Sequence, residues 1–435
     1  MSDSGENRLQ DLVDENEVPE ELDQFDPQDV EPSKTMMRFW RLAIVLVVAA
    51  TVIALIGLGS GGRARSAVSA IGDGASAAAG WIGDQWTERT ESLQAMALDE
   101  PVRPLAAVGG PEGSASMFVG FTDETGAGRS YALFATSPEG VNTVVLFPPG
   151  LLSIIPGYGD FALSQAALFE DVDLAALAVS NMLGIRIDHV VAIEPGQLTE
   201  ALFDGLVVDL PVPLIVEEGD GARVLADQGL AERSAAVVEV LLTTVGDGGE
   251  LELMQRQGAV WEALLAAMVA APDLGDRVIA LAGPGGDLLA AAASDEELSI
   301  TAVPVDRTSI GQSDAFTLDQ DALPAFVSDR VAHLLLREGA RPRAEVLNGS
   351  GQIQATSIVA ESLVNRGFQI IRTDNANAFD YEESQVIAQG RDNRAIAEEV
   401  VKMLGTGELV LEVRAQSGVV DVSIIVGQDI PSPEG

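Results

Sequence analysis

The residue types that most often carry out catalysis or bind metals are scarce in this 435-residue chain. There is no cysteine, which excludes disulfides, thiolate nucleophiles and cysteine-ligated zinc or iron–sulfur sites. The two histidines, His189 and His333, are too few for a multi-histidine metal centre, and we expect both to be packed in a strand or on a helix face. No GxSxG motif occurs, and the stretch 283–286 (GPGG) lacks the GxGxxG spacing of a dinucleotide-binding turn, so we interpret it as a loop.

One glycine-rich loop could present a ligand site. Asn348, Gly349, Ser350 and Gly351 follow a predicted strand and precede a predicted helix. Backbone N–H groups at such a helix N-terminus could bind an anionic or sugar ligand. The same residues are typical of a tight strand-to-helix turn without a ligand, and we favour that simpler interpretation.

The charge of the chain restricts its partners. It has 25 basic and 67 acidic residues, a net charge of -42, which would repel the phosphate backbone of a nucleic acid. Residues 1–35 hold 12 of the acidic residues and three prolines, with few large apolar residues. Such a segment cannot bury enough apolar surface to fold, so we predict a disordered acidic tail.

An apolar segment follows the tail. Residues 42–58 (LAIVLVVAATVIALIGL) carry no charge and, as a helix, would be about 25 Å long, so we predict a transmembrane helix over 36–59. Basic residues flank it on both sides, with a slight excess before it. A single-pass protein of the plasma membrane with a cytoplasmic amino terminus is the simplest topology, and a cleaved signal peptide is the alternative. Small and flexible residues over 60–115 indicate a stalk or linker.

Residues 116–338 alternate strand and helix signals, which predicts a mixed-sheet, three-layer α/β domain. The predicted strands include Ser130–Thr136, Asn142–Phe147, Ile187–Ile193 and Leu206–Val212, and the predicted helices are Phe161–Leu183, Gln197–Phe203, Leu230–Leu242, Met254–Ala270 and Ala325–Arg337.

Four stretches of this domain resemble the LytR-CpsA-Psr family. They are TVVLFPPGLLSIIPGYG (143–159), NMLGIRIDHVVAI (181–193), FDGLVVDLP (203–211) and ELELMQRQGAVWEALL (250–265). That family consists of membrane-anchored enzymes that move glycopolymers from polyprenyl pyrophosphate carriers onto the cell wall. The resemblance implies arginines that neutralise a pyrophosphate and carboxylates that bind magnesium.

The sequence departs from the family at most of these positions. Pro149-Gly150 stands in place of an Arg-Asp pair, Ala162 and Ser164 replace a basic residue and an asparagine, and no arginine occurs near Thr243–Val245. Glu250, Arg256 and Gln257 are the matches left in the last motif. Asp160, Glu250 and Arg256 could form an ion-pair cluster, although we favour a solvated helix surface for each. One arginine cannot supply the charge of several, so we expect no phosphotransferase activity.

The last part of the chain, residues 341–430, resembles the LytR carboxy-terminal domain of exported actinobacterial proteins. The stretches AEVLNGSG (344–351), NRGF (365–368), DNANAFDYEES (374–384) and VDVSIIVGQD (420–429) carry the resemblance. Two helices covering one face of a small sheet predict an α+β sandwich. The family implies a location in the cell envelope without a settled reaction.

The combined expectation is a membrane-anchored, extracytoplasmic protein of the cell envelope without catalytic activity. We expect it to bind or organise wall glycopolymer or its polyprenyl phosphate-linked precursor, with no cofactor and no nucleic acid. Two alternatives remain open: a divergent phosphotransferase, which would need magnesium, and a signalling protein that acts through its acidic tail. The oligomeric state is not determined by the sequence.

Overall fold

The computed structural model of this chain describes residues 111–218, 221–310, 313–412 and 419–431. The predicted acidic tail, the predicted membrane helix and most of the predicted linker lie outside these residues. Among the helices that are described, none is long and apolar enough to cross a membrane. All described residues belong to one compact unit that spans Ser92–Gly435.

The first part of this unit is built on a central mixed sheet with a layer of helices on each face. Its elements in chain order are β1 (Ala115–Thr122), β2 (Gly128–Thr136), β3 (Asn142–Phe147), β4 (Leu152–Ile155), β5 (Gly159–Ala162), α1 (Leu163–Glu170), α2 (Val172–Leu183), β6 (His189–Ile193), α3 (Gln197–Leu202), β7 (Leu206–Leu210), β8 (Leu214–Glu218), β9 (Gly221–Ala226), β10 (Gly229–Arg233), α4 (Ala235–Thr243), α5 (Gly249–Ala270), α6 (Pro272–Ala282), α7 (Gly286–Ala293), β11 (Ser299–Ala302), β12 (Val305–Ile310), β13 (Ser313–Leu318) and α8 (Leu323–Arg330).

The central sheet has the strand order β11-β3-β2-β1-β6. β2 pairs antiparallel with β1 and with β3, whereas the outer strands β6 and β11 pair parallel with their neighbours. Because neighbouring residues of a strand point to opposite faces, Val119 belongs to the core between the sheet and α3–α7, whereas Phe118 belongs to the core that includes α1, α2 and α8. Both faces are therefore buried, and the predicted mixed α/β class is confirmed.

The second part of the unit is a smaller sheet covered on one face by two helices. Its elements are β14 (Arg343–Asn348), α9 (Ile353–Val364), β15 (Gln369–Asn375), β16 (Gln385–Gln389), α10 (Arg394–Leu404), β17 (Glu408–Glu412) and β18 (Val422–Val426). The strand order is β15-β14-β18-β16-β17, and only the β16–β18 pair among these is antiparallel. Ala344 and Val346 of β14 and Val386 of β16 pack against Val359 of α9 and Ile396 of α10.

The two parts are joined by a polar contact between α2 and the edge strand β15. The Asn181 side chain donates to the carbonyl of Ile370 at 2.9 Å and accepts from its N–H at 2.8 Å. Arg341 donates to the carbonyl oxygens of Asn181 and Phe368 at 2.7 and 2.6 Å. Burial lowers the pKa of Arg341 to about 10, so this arginine stays charged at neutral pH. The side chain of Asn181 therefore satisfies a backbone edge that would otherwise lack partners.

Three of the predicted helices are divided, shortened or preceded by a strand in the structure. The predicted helix Leu230–Leu242 begins as strand β10, which pairs with β7, and becomes helical only at Ala235. The predicted helix Phe161–Leu183 is divided into α1 and α2 at Asp171, where φ is +68°. The predicted helix Ala325–Arg337 ends at Arg330 and is followed by a short 3₁₀ turn that contains His333.

Candidate functional site

Helix α5 carries three of the residues that the sequence singles out, and the chain before it fixes their surroundings. Gly246 has a φ of +72°, and a Cβ there would lie 2.7 Å from the carbonyl oxygen of Ile215. Glycine is therefore required for this tight connection between α4 and α5. The connection places the carbonyl groups of Thr244 and Val245 beside the first turns of α5.

Arg256 lies inside the protein and binds those carbonyl groups. It is 1% exposed, and its Nη2 donates to the carbonyl oxygens of Thr244 and Val245 at 2.9 and 2.6 Å. Burial lowers the pKa of its guanidinium, while the charge of Glu252, 3.9 Å away, opposes this shift. The expectation of a solvated surface is wrong for Arg256, because its guanidinium binds backbone carbonyl oxygens of the half-buried residues at the end of α4.

Gln257 is also buried, and its contact is again with the end of α4. Its Nε2 donates to the carbonyl oxygen of Leu242 at 2.9 Å. Arg256 and Gln257 thus bind three carbonyl groups that follow one another closely in the chain, at Leu242, Thr244 and Val245. Their polar side chains close the end of α4, where helix carbonyls lack partners within the helix.

Glu250 at the start of α5 binds the turn that stands in place of the family's Arg-Asp pair. Its Oε2 accepts from the N–H of Gly150 at 2.7 Å. A Cβ at Gly150 would lie 2.7 Å from Oε1 of Glu250, so the carboxylate fits closely because position 150 is glycine. An acidic side chain in the first turn of a helix is also favoured by the helix dipole. The structure thus brings together two sequence features, Pro149-Gly150 and Glu250, that are 100 residues apart.

Asp160 lies on the β4–β5 hairpin, opposite Ile154, and is exposed. The turn of this hairpin reaches the smaller sheet, where the N–H of Gly157 donates to the Thr373 hydroxyl at 3.3 Å. Asp160 is therefore on a different element from Glu250, Arg256 and Gln257.

The loop Asn348–Gly351 has its own internal hydrogen bonds. Oδ1 of Asn348 accepts from the N–H of Gly351 at 2.9 Å and from the Ser350 hydroxyl at 3.2 Å. Gly349 is packed so tightly that a Cβ would lie 2.7 Å from Ile425 and 2.9 Å from Tyr381. These contacts support the simpler interpretation of a strand-to-helix turn, which the Asn348 side chain stabilises.

The described residues do not provide a metal site. Among them, no group of three or more His, Asp or Glu side chains could hold a metal ion. His333 is half-buried, and burial together with the charge of Arg186 lowers its pKa, with Glu139 acting in the opposite direction. His189 is half-buried in β6, as expected for a packed strand residue.

A small apolar cavity lies between the central sheet and helices α3, α5, α6 and α7. Its volume is about 10 Å³, and Phe121, Val191, Trp261 and Val278 are among the residues around it. The Trp261 ring packs edge-on against Phe134 at a centroid distance of 5.1 Å. A volume of this size corresponds to about one water molecule, so the side chains around Trp261 pack closely.

Sequence reasoning missed the role of the carbonyl groups around Thr244. Backbone acceptors cannot be recognised from residue types. The available signal was the glycine at position 246, which has a positive φ and allows the chain to turn sharply between α4 and α5. It also missed the buried Arg337 and the half-buried Arg341. Their spacing of four, close to the boundary between the two predicted domains, was the available signal.

Comparison with solved structures yields similarities at low sequence identity. TagV from B. subtilis shares 14% identity over 52% of this chain and 98% of that chain, with a TM-score of 0.44. The LytR-Csp2A-Psr enzyme from Actinomyces oris shares 19% sequence identity over 53% of this chain and 96% of that chain, with a TM-score of 0.41. TagT from B. subtilis shares 17% sequence identity over 54% of this chain and 98% of that chain, with a TM-score of 0.40.

Comparison with curated proteins gives no match. One family model does match this chain, and it covers residues 341–429. The model is that of the LytR cell envelope-related transcriptional attenuator. The resemblance of the carboxy-terminal part to this family is therefore confirmed for those residues.

Proposed function

We propose that this chain is a non-catalytic protein of the cell envelope that binds or organises wall glycopolymer. The match of residues 341–429 to a cell envelope-related family supports the location. The apolar segment 42–58 supports attachment to the plasma membrane, with the described residues outside the cytoplasm.

The position of Arg256 is the observation that carries the non-catalytic assignment. An arginine that neutralises a pyrophosphate must present its guanidinium to the ligand. Nη2 of Arg256 instead donates to two backbone carbonyl oxygens inside the protein. Turning it outward would break both hydrogen bonds to these half-buried residues, which costs about 1.5–3 kcal/mol for each bond to a charged group.

The filled layer around Trp261 favours the polymer over its lipid-linked precursor as the ligand. A cavity of about 10 Å³ cannot admit a polyprenyl chain without moving the helices that pack on the sheet. We therefore expect the glycan, rather than the lipid carrier, to be the part that the protein recognises.

The test is retention of the purified full chain, kept in detergent micelles, on isolated bacterial cell walls. We expect retention on intact walls, and a reduction of at least about 10-fold on walls stripped of their covalently attached glycopolymer. Micelles without protein and a membrane protein of similar net charge serve as controls. Failure to sediment with intact walls would contradict the proposal, and so would magnesium-dependent transfer of glycopolymer by the purified chain.

A further inference from the structure

The smaller sheet has one face that its helices do not cover. Strand alternation directs Ala344 and Val346 toward α9 and α10, where both are fully buried, so Glu345 and Leu347 lie on the opposite face. The same alternation places Ser423 on β18 and Gln389 on β16 on that opposite face. We call it the open face.

A connected row of polar side chains crosses the open face over four strands. Nε2 of Gln389 donates to the Ser423 hydroxyl at 2.8 Å, and that hydroxyl donates to Glu345. The other carboxylate oxygen of Glu345 lies 3.6 Å from Arg372, which donates to Asp374 at 2.8 Å. These five residues form the polar row.

The polar row fixes its side chains in defined orientations. Ser423 is 2% exposed, the Glu345 side chain is 15% exposed and that of Arg372 is 52% exposed, so the row passes from a buried centre to an open end. Amide, hydroxyl, carboxylate and guanidinium groups together offer both donors and acceptors at fixed positions. Ligands rich in hydroxyl and amide groups, such as glycans with N-acetyl groups, need this combination.

Apolar side chains lie directly beside the polar row. Ile387 pairs with Ser423 across the β16–β18 register, and Ile425 pairs with Gln385 one step further along. Leu347 pairs with Ile425 on the other side of β18. Ile425 is only 9% exposed, whereas Ile387 and Leu347 are half-buried. Ile387 and Leu347 can pack against the apolar C–H face of a sugar ring while the outer residues of the polar row bind its hydroxyl groups.

The charge of the open face argues for an uncharged ligand. Arg372 is paired with Glu345 and Asp374, and Arg343 is paired with Asp421 at 3.0 Å. Glu408 and Glu412 of β17 lie on the same face, because they pair with Gln385 and Gln389 of β16. Acidic groups therefore outnumber basic groups there, which disfavours phosphate-rich polymers. An apolar protein helix is also disfavoured, because it would desolvate the carboxylate of Glu345 and the guanidinium of Arg372.

We propose that the open face of the carboxy-terminal sheet binds an uncharged glycan strand that carries hydroxyl and N-acetyl groups. This inference rests on the proposed function and names the surface and the ligand class through which it acts. The site is separate from the residues on α5.

The test compares two soluble tetrasaccharides that share N-acetylglucosamine, the neutral chitotetraose and the anionic hyaluronan tetrasaccharide. Calorimetric titration of the full chain should detect chitotetraose binding, with at least 10-fold weaker binding of the hyaluronan fragment. Gln389→Ala and Arg372→Ala, at the two ends of the polar row, should each weaken chitotetraose binding about 10-fold. Arg394→Ala on α10, which removes an exposed arginine paired with Glu398, is the matched control and should bind like the unmodified chain.

Wall sedimentation of the same variants separates this inference from the proposed function. If the unmodified chain and both row variants sediment equally with walls, the proposed function stands and the inference is wrong. If the unmodified chain binds chitotetraose through the polar row but does not sediment with walls, the inference stands and the proposed function is wrong. Absence of chitotetraose binding, or equal binding of both tetrasaccharides, would also overturn the inference.

Discussion

The guanidinium of Arg256 lies beside the carboxy-terminal end of helix α4, and this position determines which groups it can bind. The carbonyl oxygens of Thr244 and Val245 accept hydrogen bonds from Arg256 in place of water. The sequence alone predicted a charged residue on a helix surface, because charged residues are rarely buried without partners. Its partners are backbone atoms, so they could not be recognised from residue types.

Replacement of Arg256 should therefore affect stability before it affects binding. We expect Arg256→Ala to lower the free energy of unfolding by about 2–4 kcal/mol, because two backbone carbonyl groups lose their donor and the buried side chain leaves a cavity. Urea denaturation of the full chain followed by tryptophan fluorescence measures this loss. Glu252→Gln, which removes the exposed ion-pair partner, should cost less than about 1 kcal/mol. Unchanged stability of Arg256→Ala together with lost wall retention would contradict a structural role.

Asp171 has an unusual backbone conformation, with φ of 68° and ψ of -168° between α1 and α2. Residues other than glycine rarely occupy this region, and the strain is of order 1–3 kcal/mol. The Asp171 side chain accepts from the N–H of Val172 at 2.7 Å, and its charge raises the pKa of Asp173 in addition to the effect of burial. Apolar residues recur at helical spacing on both sides of Asp171, which explains why a single helix was predicted over Phe161–Leu183.

Asp171→Gly should stabilise the protein by about 1 kcal/mol, because glycine adopts this conformation without strain. Asp171→Ala is the matched control: it removes the same carboxylate but keeps a Cβ, so it should not stabilise. Urea midpoints of the two variants decide the matter. Equal midpoints would show that the carboxylate, and not the backbone conformation, determines the stability at this position.

At the scale of elements, the sequence-based predictions were most accurate where the spacing of apolar residues and the turn residues on either side indicated the same element. Strand Asn142–Phe147 was predicted at its exact bounds, since four apolar residues end it and a Ser-Pro-Glu-Gly turn precedes it. β1 was not predicted, because glycine, serine and alanine precede its apolar residues and resemble a linker. β10 was predicted as helix, because its apolar residues continue into α4 and only its pairing with β7 makes it a strand. Such long-range pairing is not encoded in any local window.

The contact between α2 and β15 predicts how the smaller sheet is held. Asn181→Ala should remove two buried hydrogen bonds to Ile370 and lower the free energy of unfolding by about 2–4 kcal/mol. Amide exchange of residues 369–375 should become at least about 10-fold faster, while exchange in β6 remains slow. Asn365→Ala, at an exposed asparagine after α9, is the control. Unchanged exchange in residues 369–375 would show that Asn181 does not secure this edge.

At the scale of the whole molecule, the net charge of -42 opposes contact with any anionic polymer. A ligand recognised by arginine–phosphate contacts would have to overcome this repulsion, and its binding would weaken as salt is added. A ligand recognised by neutral hydrogen bonds and apolar contacts gains instead from screening. Salt dependence therefore distinguishes the two modes of recognition in the intact protein.

We expect wall retention of the full chain to be at least as strong in 1 M as in 0.1 M sodium chloride. The screening length falls from about 10 Å to about 3 Å over this range, which removes most of the repulsion between the chain and an anionic wall. Sedimentation at a series of salt concentrations, with a lysine-rich wall-binding protein as the opposite control, measures the effect. A decrease of 10-fold or more in high salt would indicate phosphate contacts and contradict our proposal.

The order of strands in the central sheet also constrains how the chain folds. β3 lies beside β11, and the N–H of Asn142 donates to Asp295, 153 residues further along the chain. This edge of β3 therefore stays unpaired until β11 has been synthesised. Contacts between such distant residues slow folding and leave apolar strands open to aggregation in the meantime. The edge of β3 is therefore the part of the central sheet most exposed to pairing with another chain until β11 covers it.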